Sequence, residues 1–304
     1  YFEYHNEPDG TDEYRGSLGT HGYWGYRGEA YGELLHRLYP VVKAASPDAQ
    51  LIMGGLAMDW FVENGGIFDG EFLDDVLAAC EGKTCFDAVN IHYYPQYHNR
   101  WDAYGYGIIG KTNYTRQKMA EYGKEHLPIF CTEMGWSGAE GLEWGGLELQ
   151  GRYAVQGFVR GLSADLTMMI WFKARDARSE PDFPGLLDAN LDPRPSYYAF
   201  KTTIQQLRGL KFARKLTETD TGSSCIEGYR FEDDFGHRVD VVWTMDDTWT
   251  DPDDNPVVEL SVNGKNLTVI DKLGNEQTVV DGTDGRIDGK IKLRLDGSPL
   301  FLRY

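Results

Sequence analysis

The sequence predicts an α/β protein in which a parallel sheet with crossover helices is followed by a small all-β domain. In the first two thirds of the 304 residues, short apolar runs alternate with longer segments whose apolar residues recur at helical spacing. After about Leu207 this helical spacing ends, and short alternating segments are separated by turns rich in Gly, Asn and Asp. We therefore expect two domains, residues 1–207 and residues 208–304.

Five apolar runs are the predicted strands of the first domain. The segment from Tyr31 to Ala45 carries one apolar stripe at helical spacing, and the segment from about Glu148 to Ser163 repeats this pattern. Strands that alternate with such helices are typical of a parallel sheet. The predicted strands are Tyr1 to His5, Leu51 to Ala57, Phe86 to His92, Pro128 to Thr132 and Thr167 to Phe172.

The second domain is predicted to contain short strands and no helix. Asn263-Gly264 and Gly274-Asn275 are turn signals between its strands. The acidic stretch from Asp246 to Asp254 could bind calcium through oxygen ligands, but its spacing does not match the EF-hand loop, so a solvated loop is the favoured interpretation. The predicted strands are Val239 to Thr244, Val257 to Val262, Leu267 to Asp271 and Ile291 to Leu295.

The charge and hydropathy of the chain argue against two classes of partner. The formal net charge is −18, which would repel phosphate backbones and anionic bilayers, and no local cluster of Lys and Arg offsets it. No run of about 18 or more apolar residues occurs, so no membrane-spanning segment is predicted. We expect neither nucleic acid nor a membrane as a partner. The sequence is compatible with a secreted or a cytoplasmic protein.

The four Cys residues are too few for a disulfide framework in a chain of this size. Cys80 and Cys85 are close enough in sequence to form a local bridge, whereas Cys131 lies in a predicted strand and Cys225 is distant. Buried free thiols are the favoured interpretation. No convincing set of His and Cys ligands is present, so we expect no metal and no cofactor.

Two glutamates follow predicted strands of the first domain. Glu7 comes after the strand Tyr1 to His5 and before Pro8, and Glu133 comes directly after the strand Pro128 to Thr132. In a β/α barrel, both would project at the carboxyl-terminal mouth. Retaining glycoside hydrolysis needs such a pair about 5 Å apart, one carboxylic acid as proton donor and one carboxylate as nucleophile. Taken singly, each glutamate could also be a helix N-cap partner or a surface charge.

Four segments resemble the strand-end signatures of glycoside hydrolase clan A, whose members are (β/α)8 barrels. Asn6-Glu7-Pro8 resembles the acid/base signature on the fourth strand, and Thr132-Glu133-Met134-Gly135-Trp136 resembles the nucleophile strand, the seventh. Between them, Asn90-Ile91-His92-Tyr93-Tyr94-Pro95 resembles the sixth strand, and Ile170-Trp171-Phe172 resembles the eighth. Families 39 and 5 of this clan are the most similar.

The resemblance implies an α/β fold with a partial (β/α)8 TIM barrel, strands four to eight, followed by a small all-β sandwich domain. The three strand–helix units that come first in the family have no counterpart in this sequence. The strands at Tyr1 and Thr167 would then have open edges, and their inward side chains would face water. We therefore expect a separate amino-terminal barrel segment, or a second copy of the chain, to cover these edges. The side chains concerned include Phe2, Tyr4, Met169 and Trp171.

The resemblance also implies an activity and a set of site residues. The activity is hydrolysis of β-linked O-glycosides with retention through a covalent glycosyl-enzyme, with Glu7 as general acid/base and Glu133 as nucleophile. The expected partner is a carbohydrate substrate. His92 could also be a core histidine bonded to the backbone, and Trp136 could be a cleft platform or simple packing. The substrate-binding residues implied are Asn6 at the sugar 2-hydroxyl, His92, Tyr94, Trp136 and Trp171.

Three other functions fit the same residues or the same fold. A carbohydrate-binding or scaffold barrel could have kept both glutamates with little or no turnover, because fold similarity does not guarantee activity. A transglycosylase would differ only in transferring the sugar to an acceptor other than water, which product analysis with an added alcohol detects. A purely structural partner domain would leave the two glutamates with unperturbed titration.

Overall fold

The chain consists of two compact units. The computed structural model describes residues 1–11, 24–95, 100–136, 146–176, 184–244 and 256–304. The first unit contains Tyr1–Gly135 and Ala164–Phe172, and the second contains Trp136–Ser163 and Lys173–Tyr304. The division into domains after residue 207 stays a prediction.

Parallel strands form the sheets of the first unit. β1 (Phe2–Tyr4) pairs with β2 (Leu51–Met53). β3 (Val89–Tyr93) pairs with β4 (Ile129–Met134), and β4 pairs with β5 (Leu166–Trp171). Each of the five predicted strands is therefore confirmed, with bounds that differ by a few residues.

The two parallel sheets follow one another in chain order. Isolated parallel bridges join Ile52 to Ala88 and Leu56 to Ile91, which connects β2 and the residues after it to β3. Helices lie between the strands in sequence, as crossover connections between parallel strands require. None of the described helices is both long enough and apolar enough to cross a membrane. The helices of this unit are α1 (Gly28–Ala45), α2 (Phe72–Ala79) and α3 (Gly107–Glu121), with a 3₁₀ turn at Val62–Asn64.

The central strands β2 and β3 are buried along their whole length. Burial of every residue is expected for strands of a parallel sheet that is covered on both faces. At the outer strands, Phe2 is 60% exposed, as expected, but Trp171 is only 6% exposed. The expectation that Trp171 faces water is therefore wrong. An indole has a large apolar surface whose burial is favourable, and the end of β5 is packed.

Cys80 and Cys85 form a disulfide bond directly after α2. The expectation of free thiols is wrong for this pair. The turn that follows the helix brings their Cα atoms to 6.0 Å, within the range that a disulfide spans. Cys131 is a buried free thiol, as expected, and Cys225 is free but exposed.

Helices and antiparallel strands make up the second unit. Its described helices are α4 (Leu147–Ser163), α5 (Pro195–Leu207) and the short α6 (Glu218–Thr221). A six-stranded antiparallel sheet has the order β11-β10-β13-β8-β7-β6, and a two-stranded one pairs β12 with β9. The strands are β6 (Lys211–Lys215), β7 (Ile226–Glu232), β8 (Arg238–Thr244), β9 (Val258–Asn263), β10 (Asn266–Asp271), β11 (Glu276–Val280), β12 (Lys290–Leu295) and β13 (Leu300–Arg303).

Alternation of apolar and polar residues builds a core shared by both antiparallel sheets. Every second residue of β12 is buried, as the period of a half-buried strand requires. Ile291, Leu293 and Leu295 of this strand belong to one buried cluster that also contains Val242 and Val269 of the larger sheet.

The four predicted strands of this unit are confirmed, but the expectation of no helix is wrong. Thr217 and Asp220 form a capping box, in which each side chain accepts the backbone N–H of the other, and this stabilises the single turn of α6. The predicted turn at Gly274 is present between β10 and β11, with a φ of 91°. The acidic stretch from Asp246 to Asp254 lies outside the described residues.

Candidate active site

Glu7 lies in a strained turn just after β1. Its φ of 44° is in the left-handed region, which non-glycine residues adopt rarely, and His5 also has a positive φ of 67°. The turn is held because the Glu7 N–H donates to the Gly55 carbonyl at 3.1 Å. As a result, a carboxyl group with only 9% of its residue surface exposed lies at the carboxyl end of β1.

Glu7, His92 and Glu133 come together at the carboxyl ends of β1, β3 and β4. His92 Nδ1 is 3.2 Å from Glu7 Oε1 and 3.8 Å from Glu133 Oε2. One oxygen of each carboxylate and one nitrogen of His92 lie within 4.8 Å of one another. The two glutamates predicted as a pair are therefore neighbours. The same three groups are close enough to hold one metal ion, a ligand set that was not expected from the sequence.

A bulge in β4 aims two consecutive side chains at His92. Ile91 pairs with Cys131, but His92 pairs with Glu133, so Thr132 is an extra residue in β4. In a regular strand, Thr132 and Glu133 would point to opposite faces. Here Thr132 Oγ1 is 3.3 Å from His92 Nε2, and Glu133 Oε2 is 3.8 Å from His92 Nδ1. The bulge thus gives each edge of the imidazole its own neighbour.

The Tyr94 hydroxyl donates a hydrogen bond to Oε1 of Glu133. Burial and the charge of Glu133 raise the pKa of Tyr94 well above its usual value, so the hydroxyl stays protonated at neutral pH. A hydrogen bond to an ionised carboxylate is short and directional. This contact fixes the orientation of Glu133.

His92 is almost fully buried, with 1% of its surface exposed. Burial alone lowers the pKa of an imidazole, but the carboxylates of Glu7, Glu133 and Glu3 outweigh it and raise the pKa of His92. Both ring nitrogens contact side chains, Glu7 on one edge and Thr132 on the other. This arrangement does not fit a core histidine bonded to the backbone.

A hydrogen-bonded network lies on the Nε2 edge of the His92 ring. The Thr132 N–H donates to Asn90 Oδ1 at 3.1 Å, and Asn90 Nδ2 donates to Thr132 Oγ1 at 2.7 Å. The Thr132 hydroxyl donates to Glu3 Oε1 at 3.2 Å, and the same oxygen accepts the Gly55 N–H at 2.9 Å. Glu3 of β1 is therefore tied to β4 and to the residues that follow β2.

Two further carboxyl groups are buried beside the site. The Asp9 oxygens accept the N–H groups of Ala57 and Met58 at 3.1 and 2.8 Å, and burial raises the pKa of Asp9 to about 7. Burial also raises the pKa of Asp59 to about 6, against the opposing effect of Lys111, whose buried ammonium group is 2.7 Å away. Groups that can change protonation near neutral pH thus surround Glu7.

The other predicted site residues are Asn6, Trp136 and Trp171. Asn6 is exposed, and Trp171 is buried at the end of β5. Trp136 belongs to the second unit, where its ring lies 4.8 Å from that of Tyr153, so its described ring contact is aromatic packing. The structure brings together Glu7, His92, Tyr94 and Glu133, and the roles of Asn6, Trp136 and Trp171 stay predictions.

The sequence reasoning missed Glu3, Thr132 and the pair Asp59–Lys111. Glu3 is a charged residue between two aromatic residues of a strand, where acidic residues are depleted, and this was a usable signal. The Thr132 side chain contacts His92 because of the bulge in β4, and no sequence pattern predicts this bulge. Lys111 lies in a polar helix, so its sequence context predicts a solvated side chain. In the structure it is buried.

No family model and no curated protein match the chain in sequence. Its fold does match solved structures. A family 39 glycoside hydrolase from Bacteroides cellulosilyticus WH2 matches with a TM-score of 0.66 and 21% identity, over 99% of this chain and 57% of that chain. The chain has an α/β fold similar to that of this enzyme.

Two further enzymes have a fold similar to that of this chain. An α-L-arabinofuranosidase from Thermotoga maritima matches with a TM-score of 0.66 and 13% identity, over 99% of this chain and 65% of that chain. A monomeric β-xylosidase from Caulobacter crescentus CB15 matches with a TM-score of 0.59 and 16% identity, over 100% of this chain and 69% of that chain. The chain thus spans 57% and 65% of the length of the first two proteins. The resemblance to family 39 is confirmed for the fold, and family 51 enzymes match as well.

Proposed function

We propose that the protein is a retaining O-glycoside hydrolase that cleaves β-linked sugars, with Glu7 as general acid/base and Glu133 as nucleophile. The proposal is carried by the spacing of the two carboxylates, since an oxygen of each lies within 4.8 Å of the other. Retaining enzymes hold these groups about 5 Å apart, whereas inverting enzymes leave about 6.5–9.5 Å for a water molecule. The spacing therefore favours a covalent intermediate over direct attack by water.

The first step breaks the glycosidic bond. A carboxylate oxygen of Glu133 bonds to the anomeric carbon while the bond from that carbon to the leaving oxygen breaks, and Glu7 gives its proton to that oxygen. The products are a glycosyl ester of Glu133, a free alcohol and an ionised Glu7. The Tyr94 hydroxyl holds Glu133 in position for the attack.

The second step restores the site. Ionised Glu7 removes a proton from water, whose oxygen bonds to the anomeric carbon and displaces Glu133. Each step inverts the anomeric centre, so the product has the original configuration. The Glu7 anion that exists between the two steps lies 3.2 Å from His92 Nδ1.

The substrate-binding residues of this proposal are those implied by the sequence resemblance to clan A glycoside hydrolases. Asn6 is assigned to the sugar 2-hydroxyl, and Trp136 and Trp171 are assigned to the walls of the subsite. The names of the neighbouring proteins point to xylosides and arabinofuranosides as first substrates to test. A binding protein with little turnover and a transglycosylase remain the alternatives.

The architecture belongs to the same proposal: the parallel strands are strands four to eight of a (β/α)8 barrel, and the antiparallel sheets form a sandwich. Among the described residues, β1 pairs only with β2, β5 pairs only with β4, and Phe2 is 60% exposed. Cover of these edges by a further barrel segment or by a second copy stays a prediction. Light scattering of the purified protein tests it, and a soluble, fully active monomer would contradict it.

A panel of aryl glycosides tests the proposed function. We expect release of the aryl group from at least one β-glycoside, with the sugar first appearing in NMR with retained configuration and with no effect of a chelator on the rate. An inverted first product would contradict the proposal. Sugar binding without turnover would favour the binding protein. Transfer mainly to added methanol, in place of water, would favour the transglycosylase.

A further inference from the structure

Glu3 reaches the His92 ring on the edge opposite to Glu7. Its Oε1 atom lies 4.0 Å from His92 Nε2, and it accepts the Thr132 hydroxyl at 3.2 Å. On the other edge, His92 Nδ1 lies 3.2 Å from Glu7 Oε1. The imidazole therefore stands between two carboxylates, and the bond made by one ring nitrogen decides what the other can do.

The hydroxyl hydrogen of Thr132 decides which nitrogen of His92 is protonated. The Asn90 amide is fixed first: its Oδ1 accepts the Thr132 N–H, so its Nδ2 is the donor to Thr132 Oγ1. The one hydroxyl hydrogen is donated to Glu3 and is not available for His92. The hydroxyl oxygen can accept a second bond, so His92 Nε2, at 3.3 Å, carries a hydrogen and donates it.

A hydrogen on Nε2 leaves His92 Nδ1 able to share one proton with Glu7. When Glu7 is protonated, Nδ1 accepts its hydrogen bond, and when Glu7 is ionised, a protonated Nδ1 donates to it. In the other neutral tautomer the only ring hydrogen is on Nδ1, so Nδ1 would donate a hydrogen bond to Glu7. A donor there favours the ionised form of Glu7, which cannot protonate a leaving group.

Gly55 makes Thr132 the necessary link between Glu3 and His92. A Cβ atom at Gly55 would lie 2.1 Å from His92 Nε2, so the ring packs directly against this backbone. The Gly55 N–H holds Glu3 Oε1 at 2.9 Å, which leaves that oxygen 4.0 Å from Nε2. That separation is too long for a direct hydrogen bond, so the hydroxyl of Thr132 connects the two groups.

We propose that Glu3 is a positioning residue that holds the neutral His92 ring in its Nε2–H tautomer through Thr132, and so keeps Glu7 able to act as an acid. This rests on the proposed function, in which Glu7 protonates the leaving group. In this proposal Glu3 acts on Glu7 through Thr132 and His92.

Two variants of Glu3 separate its role as acceptor from its charge. Glu3→Ala removes the acceptor, so the Thr132 hydroxyl turns to donate to His92 Nε2 and the hydrogen of the neutral ring moves to Nδ1. Glu3→Gln keeps a carbonyl oxygen that can accept both the Thr132 hydroxyl and the Gly55 N–H, so the tautomer is retained. Glu29→Gln, at the exposed start of α1, is the matched control.

The ¹⁵N chemical shifts of the neutral His92 ring, assigned with His92→Gln, report the tautomer and need no substrate. We expect an Nε2–H ring in the parent protein, Glu3→Gln and Glu29→Gln, and an Nδ1–H ring in Glu3→Ala. In kinetics, kcat/KM of Glu3→Ala should fall about tenfold or more for a poor leaving group, less than the 10²–10⁴ that a general acid contributes. It should change little for an activated leaving group, and Glu3→Gln should restore most of the loss.

An Nε2–H ring in Glu3→Ala, or equal rate losses across leaving groups, would overturn the proposal. Should Glu3→Ala not fold, Glu3→Asp keeps the charge but withdraws the oxygen, and the same tautomer switch is expected. If the parent protein cleaves no glycoside while the switch occurs, the proposed function fails and the control of His92 by Glu3 is supported. The two failures are therefore distinguishable.

Discussion

Glu227 of the second unit and Glu7 of the first are both buried glutamates, but their neighbours differ. The Glu227 carboxylate accepts two hydrogen bonds from Arg160 at 2.9 and 2.6 Å, one from the Tyr229 hydroxyl at 2.6 Å and one from Trp243 Nε1 at 3.1 Å. Burial raises the pKa of Glu227, but Arg160 outweighs it, and the pKa is lowered. Glu227 is therefore held in its ionised form.

Glu7 has neighbours that can themselves gain or lose a proton. They are the His92 imidazole at 3.2 Å, the Glu133 carboxylate, and Asp9, whose pKa burial raises to about 7. Burial alone thus does not distinguish a catalytic acid from a structural one. A guanidinium and neutral donors fix Glu227 in one protonation state, whereas the neighbours of Glu7 allow its state to change during a reaction.

The largest expected effect is the loss of turnover in Glu133→Ala. Removal of the nucleophile should lower kcat by about 10⁴-fold or more, as loss of a nucleophile does in other hydrolases. Azide should restore cleavage of an activated aryl β-glycoside and yield the α-azide, because the small anion fits the vacated position. Glu125→Ala, an exposed glutamate of the same unit, is the control. Unchanged kcat in Glu133→Ala would rule out the assignment.

Glu7→Ala should have the next largest effect, and one that depends on the leaving group. For a poor leaving group, kcat/KM should fall by about 10²–10⁴-fold, because such an oxygen departs only with a proton. For an activated leaving group the glycosylation step should be nearly unchanged. A series of aryl glycosides of increasing phenol acidity measures this trend, and a loss that is the same across the series would count against Glu7 as the acid.

Arg160→Met should lower the free energy of unfolding by about 3–5 kcal/mol, because Glu227 would remain buried without its charged partner. The double variant Arg160→Met/Glu227→Met should recover part of this loss, since apolar residues can replace a buried ion pair but give the Tyr229 hydroxyl and Trp243 Nε1 no acceptor. Urea unfolding measures both values. An equal loss in the single and double variants would show that the unpaired charge is not the cause.

The smallest expected effect is a pH dependence of stability from Asp9. Burial raises its pKa to about 7, whereas an Asp in an unfolded chain titrates near about 4. Between these values the folded protein binds more protons than the unfolded chain, so the contribution of Asp9 to stability is full below about pH 4 and lost as the pH rises to about 7. Glu227 has the opposite sign, because its lowered pKa makes its contribution full at high pH and lost on acidification.

Asp9→Asn should therefore flatten the fall in unfolding free energy between about pH 4.5 and pH 7.5, by about 3 kcal/mol. Urea unfolding at both pH values measures the change. Asp48→Asn, at an exposed position, is the control and should leave the slope as it is. A slope in Asp9→Asn that equals that of the parent protein would contradict the assignment to Asp9.

The strands and the acidic pair could be predicted because each rests on a local signal. β3 carries the apolar residues Val89 and Ile91, β4 begins with Ile129-Phe130-Cys131, and parallel strands place their carboxyl ends at one edge of the sheet. This rule is enough to predict Glu7 and Glu133 at the same edge of the sheet, because each follows a predicted strand. His92 and Tyr94 needed the resemblance in addition, since a histidine at a strand end has several ordinary roles.

The remaining features depend on contacts between distant parts of the chain. The link from Glu3 to His92 passes through Thr132, which is 129 positions from Glu3. The burial of Lys111 depends on the loop that carries Asp59, 52 positions earlier in the chain. Local sequence propensities cannot predict such contacts, because they depend on residues that are far apart in the chain.

The extra residue at Thr132 puts the two halves of β4 out of phase. Cys131 pairs with Ile91 and Glu133 pairs with His92, so two residues of β4 that are two positions apart lie opposite consecutive residues of β3. A strand without position 132 would keep its glutamate opposite the histidine and lose the Thr132 hydroxyl together with both hydrogen bonds to the Asn90 amide. At position 132, a residue with a functional side chain can therefore be inserted or removed without a change in the register between β3 and β4.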